Sequence, residues 1–205
     1  MNNIYKEMIQ VIKVKANDLK KASIIFANAM YNDPLHSHFF PNENSRYKKL
    51  VQLFMFKLKL DFKNLYTTSD SLEGFVIWKD SKERRLKFSF IDLIKGGLMT
   101  IIVGLSPILK MVRYQKWITR LHKLYLKDPY CCLDLLVISP PFQGKGFSTT
   151  LIKPKLLHLS SNNEVAFLET QNAQNVDIYE HYGFKLIYQE KLINTKITSY
   201  GMIKI

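Results

Sequence analysis

The stretch from Asp134 to Phe147, DLLVISPPFQGKGF, constrains this chain more than any other. An apolar run from Leu133 to Ile138 reads as a strand, Pro140-Pro141 ends it, and Gln143-Gly144-Lys145-Gly146 turns the chain straight into a helical pattern. Two glycines let the backbone approach a ligand closely. The unpaired N–H groups of the first helical turn and the positive end of the helix dipole favour an anion there. The segment therefore predicts a cradle for a phosphate-bearing ligand at the end of a strand.

The remaining chain supplies alternating elements around that unit. Met8 to Val14 reads as a first strand, and Asn17 is placed to cap a helix running to about Tyr31. Asn32-Asp33-Pro34 ends it, and His36, His38 and Pro41 fall in a predicted loop. Ser45 to Phe62 fits both periodicities, and its length favours a helix. Asn64 to Ser69 and Leu72 to Lys79 read as two strands. Helical patterns follow over Ile91 to Leu105 and, with Ser106 as N-cap and Pro107 at the first helical position, on to about Leu126. After the glycine turn, a helix to about Leu159 contains Pro154, which removes one backbone bond. Glu164 to Glu169 is an apolar strand, Asn172 opens a short helix that Gly183 closes, and Phe184 to Leu192 and Ile197 to Ile205 are the last strands. This order predicts one mixed α/β domain over residues 1–205, with a helical insertion at about 80–129 between the third and fourth strands and a ligand-binding core at about 131–184.

Charge and cysteine content narrow the function. A formal net charge of +13 points to an acidic partner such as a phosphorylated cofactor, nucleic acid or an anionic membrane, although solvated lysines give the same total. Cys131 and Cys132 are the only cysteines, and as strand neighbours they face opposite ways, so neither a disulfide framework nor a zinc site is expected. His36 and His38 lack a third ligand, and no metal is expected. No apolar run is long enough for a membrane span, no signal peptide is apparent, and a cytoplasmic protein is expected. Arg113, Lys116, Arg120, Lys123 and Lys127 recur at helical spacing; the stripe suits RNA or a membrane surface, and equally a solvated helix face.

The glycine turn does not match a P-loop, which needs glycine where Ser139 stands and Ser or Thr where Gly146 stands. The dinucleotide fingerprint would need glycine in place of Thr149. A second constellation decides between ligands: Leu168-Glu169-Thr170-Gln171-Asn172, then Asn175-Val176 and Tyr179-Glu180-His181-Tyr182-Gly183-Phe184. Together these segments resemble the GNAT superfamily of acetyl-CoA-dependent N-acetyltransferases. The family's cofactor signature falls on Gln143, Gly146 and Ser148, where Ser148 departs from the usual Gly or Ala. The proline in the following helix and the early Asp-Pro look like the branch containing puromycin N-acetyltransferase. The resemblance is specific over about Leu133 to Phe184 and one of layout before that.

The resemblance implies that the amides of Gln143, Gly144, Lys145, Gly146, Phe147 and Ser148 hold the coenzyme A pyrophosphate, while the backbone around Leu136 and Val137 pairs with the pantetheine arm and a nearby N–H polarises the thioester. Gln143 can anchor the turn, Lys145 can offset phosphate charge, and the hydroxyls of Ser148 and Thr149 can donate. Asn172, Asn175 and Tyr179 share one face of the short helix. The resemblance gives Tyr179 the role of protonating the thiolate and an asparagine that of holding the arm. Asp134 is the first candidate for the base that takes the amine proton and Glu169 the second. Phe39, Phe40, Tyr114 and Trp117 fit the wall of a pocket for a small-molecule amine as well as they fit a core. The expectation is therefore an acetyl-CoA-dependent N-acetyltransferase acting on a primary amine by direct attack, as monomer or homodimer, without a specific nucleic-acid partner. The alternative is a catalytically inactive acyl-CoA-binding regulator.

Overall fold

A computed structural model describes residues 11–86 and 98–205. Its elements in chain order are β1 (Ile12–Lys13), α1 (Leu19–Ala29), α2 (Pro34–Phe39), α3 (Glu43–Leu60), β2 (Leu65–Thr67), β3 (Gly74–Asp80), α4 (Ser81–Leu86), α5 (Leu98–Val103), α6 (Leu105–Tyr125), β4 (Tyr130–Ile138), α7 (Phe147–Ser161), β5 (Val165–Thr170), α8 (Gln174–His181), β6 (Lys185–Lys191) and β7 (Thr198–Lys204). The strands form a seven-stranded mixed sheet in the order β1-β2-β3-β4-β5-β7-β6. Among the described strands only β4 and β5 run parallel, because α7 crosses between them.

Apolar layers cover both faces. On one, Phe26, Leu50, Phe54 and Ile118 of α1, α3 and α6 pack with Phe75, Ile77, Val137 and Phe167 of the sheet. On the other, Leu151, Ile152, Leu156 and Leu159 of α7 pack on Val76, Cys131, Leu133, Ala166 and Leu168. Cys131 and Cys132 face opposite layers, and both are free thiols.

A β-bulge breaks the alternation of β4. Trp78 pairs with Leu133 and Ile77 with Leu135, so Asp134 is the extra residue. Strict alternation would place Leu133, Leu135 and Val137 on one face. Instead Leu133 joins the α7 layer while Leu135 and Val137 turn to the α1–α3 layer. The bulge thereby aims Asp134 and Leu135 into the same side of the molecule, where a cavity lies.

Several sequence expectations shift. Asn17 lies in a short 3₁₀ turn, and α1 begins after Asp18, which makes no side-chain cap bond. The predicted loop at His36 and His38 is helix α2, because the Asp33 carboxylate accepts the His36 N–H as an N-cap and Pro34 is preset for the first turn. Helix α6 starts at Leu105 behind Gly104, whose φ of 96° ends the preceding helix, so Ser106 and Pro107 lie inside its first turn. The parts of the first strand before residue 11 and of the helix over 91–97 lie outside the described residues.

Candidate active site

Strand β4 pairs with β5 from Tyr130–Val165 to Leu133–Leu168, and there the ladder stops. Strand β3 continues to hold β4 as far as Ile138. From Asp134 to Ile138, then, one edge of a central strand has no neighbouring strand among the described residues. A cleft opens between the ends of β4 and β5, bounded beyond β5 by α8. Unpaired backbone groups inside a fold favour a ligand that can take up their hydrogen bonds.

The glycine turn stands at the end of that edge. Gly144 and Gly146 have φ of 74° and 82°, and a Cβ on either would meet nothing within 4 Å. The N–H groups of Gly144, Lys145, Gly146, Phe147 and Ser148 have no hydrogen-bond partner among the described residues, and Gly146 caps α7 without a side chain. Gln143 anchors the turn, donating from Nε2 to the Ile138 carbonyl at 3.2 Å. Open space above five unspent amides fits a pyrophosphate. Lys145 is exposed, its ammonium 5.5 Å from the centre of the Phe142 ring. The hydroxyls of Ser148 and Thr149 are already engaged with the Tyr182 hydroxyl, at 3.0 and 2.9 Å. They tie α7 to the end of α8, so in this structure it is the backbone that is open to an anion.

Across the cleft, Tyr179 and Asn175 of α8 line a cavity of about 390 Å³ with Leu135 and Leu136 of β4. The Tyr179 ring meets Phe184 edge-on, and its hydroxyl has no hydrogen-bond partner among the described residues. Burial raises the phenol to about 12. Asn175 donates to Thr170 Oγ1 at 3.1 Å, which ties α8 to the end of β5. Asn172 stands one turn too early to share that face: its side chain accepts the Gln174 N–H just before α8 begins, and it does not line the cavity. Val137 is 2% exposed in the core, which leaves only its backbone to meet a ligand.

Several of the cavity's ionisable groups gather around Asp134. Asp134 Oδ2 accepts from Lys79 at 2.5 Å and Lys57 at 2.9 Å, and both lysines also bind Asp61 Oδ2, at 2.8 and 3.2 Å. These two lysines and two aspartates balance each other, and the desolvated set is held by mutual hydrogen bonds. Burial lowers Lys79 to about 8, helped by the charge of Lys57 and opposed by Asp134. With two ammonium groups on it, Asp134 is a poor acceptor for an amine proton. Glu169 Oε2 is bound by His122 Nε2 at 2.6 Å and accepts from the Tyr188 hydroxyl at 3.2 Å.

Nearer the aromatic wall, His36 Nδ1 lies 2.6 Å from Asp33 Oδ1. Burial alone pushes the Asp33 carboxyl up, but its hydrogen bonds to His36 and the charge of that ring outweigh it and hold the group below the usual carboxylate range. Phe39 and Tyr114 line the cavity, whereas Phe40 is 2% exposed in the core and Trp117 lines a separate groove with Arg113, Lys116 and Arg120. His122 and Tyr188 escape sequence reasoning because their partner Glu169 is 47 residues from one and 19 from the other, with no spacing to link them.

Comparison with known proteins bears on the whole arrangement. The family model for the acetyltransferase (GNAT) domain matches residues 125–205, which contain the cleft, the glycine turn and α8. Residues 125–205 thus carry the match to the GNAT acetyltransferase domain. An uncharacterized N-acetyltransferase of Schizosaccharomyces pombe is 22% identical over 193 residues, 90% of this chain and 76% of the relative. The GNAT fold extends over the N-terminal half as well. A Corynebacterium glutamicum structure described as histone acetyltransferase HPA2 and related acetyltransferase superposes with a TM-score of 0.67 at 17% identity, covering 95% of this chain and 94% of that one. Arylalkylamine N-acetyltransferase 2 of Aedes aegypti gives 0.55 at 13% identity over 96% and 98%. Drosophila melanogaster polyamine N-acetyltransferase gives 0.54 at 12% over 95% and 98%. No described helix is long and apolar enough to cross a membrane, and no described cluster of His, Cys, Asp or Glu has the form of a metal site.

Proposed function

We propose that this protein is a GNAT acetyltransferase that moves the acetyl group of acetyl-CoA to the primary amine of a small molecule by direct attack. The observation that carries the reading is the junction of three features. Among the described residues, the β4 edge is unpaired beyond Leu133, the amides from Gly144 to Ser148 are unspent at its end, and the Tyr179 hydroxyl is without a partner across the cleft. Acetyl-CoA supplies an acyl group activated as a thioester. In this reading the five amides hold its pyrophosphate, the β4 backbone near Leu136 and Val137 takes the pantetheine arm, and Asn175 lines its path.

The chain's own groups then divide the chemistry. A cavity-facing base takes a proton from the ammonium, because an alkyl amine with pKa near about 10 is otherwise charged at neutral pH. An N–H of the β4 edge stabilises the developing oxyanion. Tyr179, kept protonated by burial, gives its proton to the departing sulfur. A cavity of about 390 Å³ walled by Phe39, Phe54 and Tyr114 suits a compact acceptor with an apolar body. Neighbours described as arylalkylamine and polyamine acetyltransferases give the amines to try first.

Calorimetry with acetyl-CoA, followed by a thiol-release screen with tyramine, tryptamine, agmatine and spermidine, tests the reading. Binding with turnover on at least one amine is expected. Binding without turnover on any would favour an acyl-CoA-binding regulator, and absence of binding at millimolar acetyl-CoA would overturn both.

A further inference from the structure

We propose that His36 is the catalytic base that takes the proton of the acceptor amine, with Asp33 as the residue that positions its ring; the inference rests on the acetyltransferase reading above. Neither of the carboxylates that the sequence suggests is placed as well. Asp134 is bound by two lysines and Glu169 by His122 and Tyr188. His36 lines the same cavity as Tyr179 and the β4 edge. Its Nδ1 is committed to Asp33 Oδ1 at 2.6 Å, and its Nε2 has no hydrogen-bond partner among the described residues.

The local sequence builds this pair for reasons unrelated to catalysis. Asp33 must stay an acceptor because it caps α2, taking the His36 N–H at 3.0 Å, and Pro34 fixes the turn. The same Oδ1 accepts from the ring, so the imidazole donates from Nδ1 and leaves Nε2 as the basic nitrogen. The ring packs 5.3 Å from Phe54 and edge-on to Phe39 at 6.5 Å between centres, which holds its plane. A carboxylate, an oriented imidazole and an apolar wall are what a positioned general base needs.

The proton and electron count closes. Nε2 takes one proton from R–NH₃⁺ and passes it to solvent; the freed lone pair attacks the thioester carbon, a C–N bond forms and the C–S bond breaks. The departing sulfur takes the Tyr179 proton, and the surplus proton on the attacking nitrogen restores the phenol.

Other ionisable groups line this cavity: Lys57 from α3 and Asp61 just after it, Lys79 from β3, Asp134 from β4, Glu169 from β5, and the Tyr114 phenol from α6. Lys110 and Arg113 of α6 act on neighbouring His38, which burial and their charges lower. The experiment therefore compares pH profiles of kcat/KM for the wild type, His36→Gln, Asp33→Asn and Glu169→Gln, with the amine found in the screen. His36→Gln is expected to lose about 10²- to 10⁴-fold in kcat/KM. It should abolish the acid limb of the profile and leave acetyl-CoA affinity unchanged. Asn also caps a helix, so Asp33→Asn should fold and shift that limb to lower pH. In ¹⁵N spectra at alkaline pH, wild-type His36 should carry its proton on Nδ1. Turnover by His36→Gln within twofold of wild type, loss of the limb only in Glu169→Gln, or a proton on Nε2 of wild-type His36 would each overturn the proposal. A wild type that turns over no amine would overturn the acetyltransferase reading together with it.

Discussion

Gly201 lies directly under the ring of Tyr188: a Cβ at Gly201 would overlap Tyr188 Cε1 and Cζ and stand 2.6 Å from Cδ1. The two residues are register partners on β7 and β6, and Glu169 is paired with Gly201 on its other side. The missing side chain lets the Tyr188 hydroxyl reach Glu169, which also holds His122. Tyr188 is 4% exposed and has little room to move. Gly201→Ala should therefore cost about 1 to 3 kcal/mol by overpacking. Urea unfolding measures this, and an unchanged midpoint would show that the ring moves aside freely.

Tyr179 is the acid of the proposed reaction, and its phenylalanine variant separates chemistry from packing. Burial raises the hydroxyl to about 12, so the proton stays in place throughout the neutral and mildly alkaline range. Tyr179→Phe keeps the edge-on contact with Phe184 and removes only the hydroxyl. The expected result is a loss of about 10²- to 10⁴-fold in kcat with acetyl-CoA affinity held within about twofold. Equal losses in both would assign the ring to packing alone.

Gly146 offers the matching test of the cradle. Its φ is 82° and a Cβ there would have nothing within 4 Å, so alanine meets no neighbour and suffers only the left-handed backbone, about 1 to 2 kcal/mol. The new methyl would project into the space assigned to the pyrophosphate. Acetyl-CoA affinity should fall by more than about tenfold, while calorimetric unfolding without ligand shows only the small backbone cost. An affinity loss no larger than the stability change accounts for would place the pyrophosphate elsewhere.

Lys79 gives the fold a pH signature. Burial lowers it from the usual 10.5 to about 8. Between those values the unfolded chain holds a proton on this amine that the folded chain has released, so stability rises with pH across that window, by up to about 1.4 kcal/mol per unit. Below about pH 8 both states are protonated and the contribution is flat. Urea unfolding at about pH 7.5, 8.5 and 9.5 should show the slope in the wild type, and Lys79→Met should remove it. A slope unchanged in Lys79→Met would assign it to other groups.

Features with a local cause can be read from the chain alone. The glycine turn follows from residues that tolerate positive φ, the strand–turn–helix unit from an abrupt change of hydrophobic period, and the Gln143 anchor from its place beside the turn. The family resemblance is legible for the same reason, since Leu133 to Phe184 carries its motifs in one continuous stretch. The short α2 helix escapes such a reading although Asp33-Pro34 is a capping pair, because Asn32-Asp33-Pro34 reads equally well as a helix stop. Features assembled from distant residues become visible only when the chain is folded. Asp134 carries no mark of its two lysines, which lie 77 and 55 positions away, nor of the bulge that aims it at them. Ser148 and Thr149 read as phosphate donors until Tyr182, 34 and 33 residues on, closes over them. Helix packing brings His122 to Glu169 and α2 to the cavity that holds Tyr179. Backbone propensity acts over a few residues and is written in order along the chain, whereas the charge on a side chain is balanced by whatever the fold brings beside it.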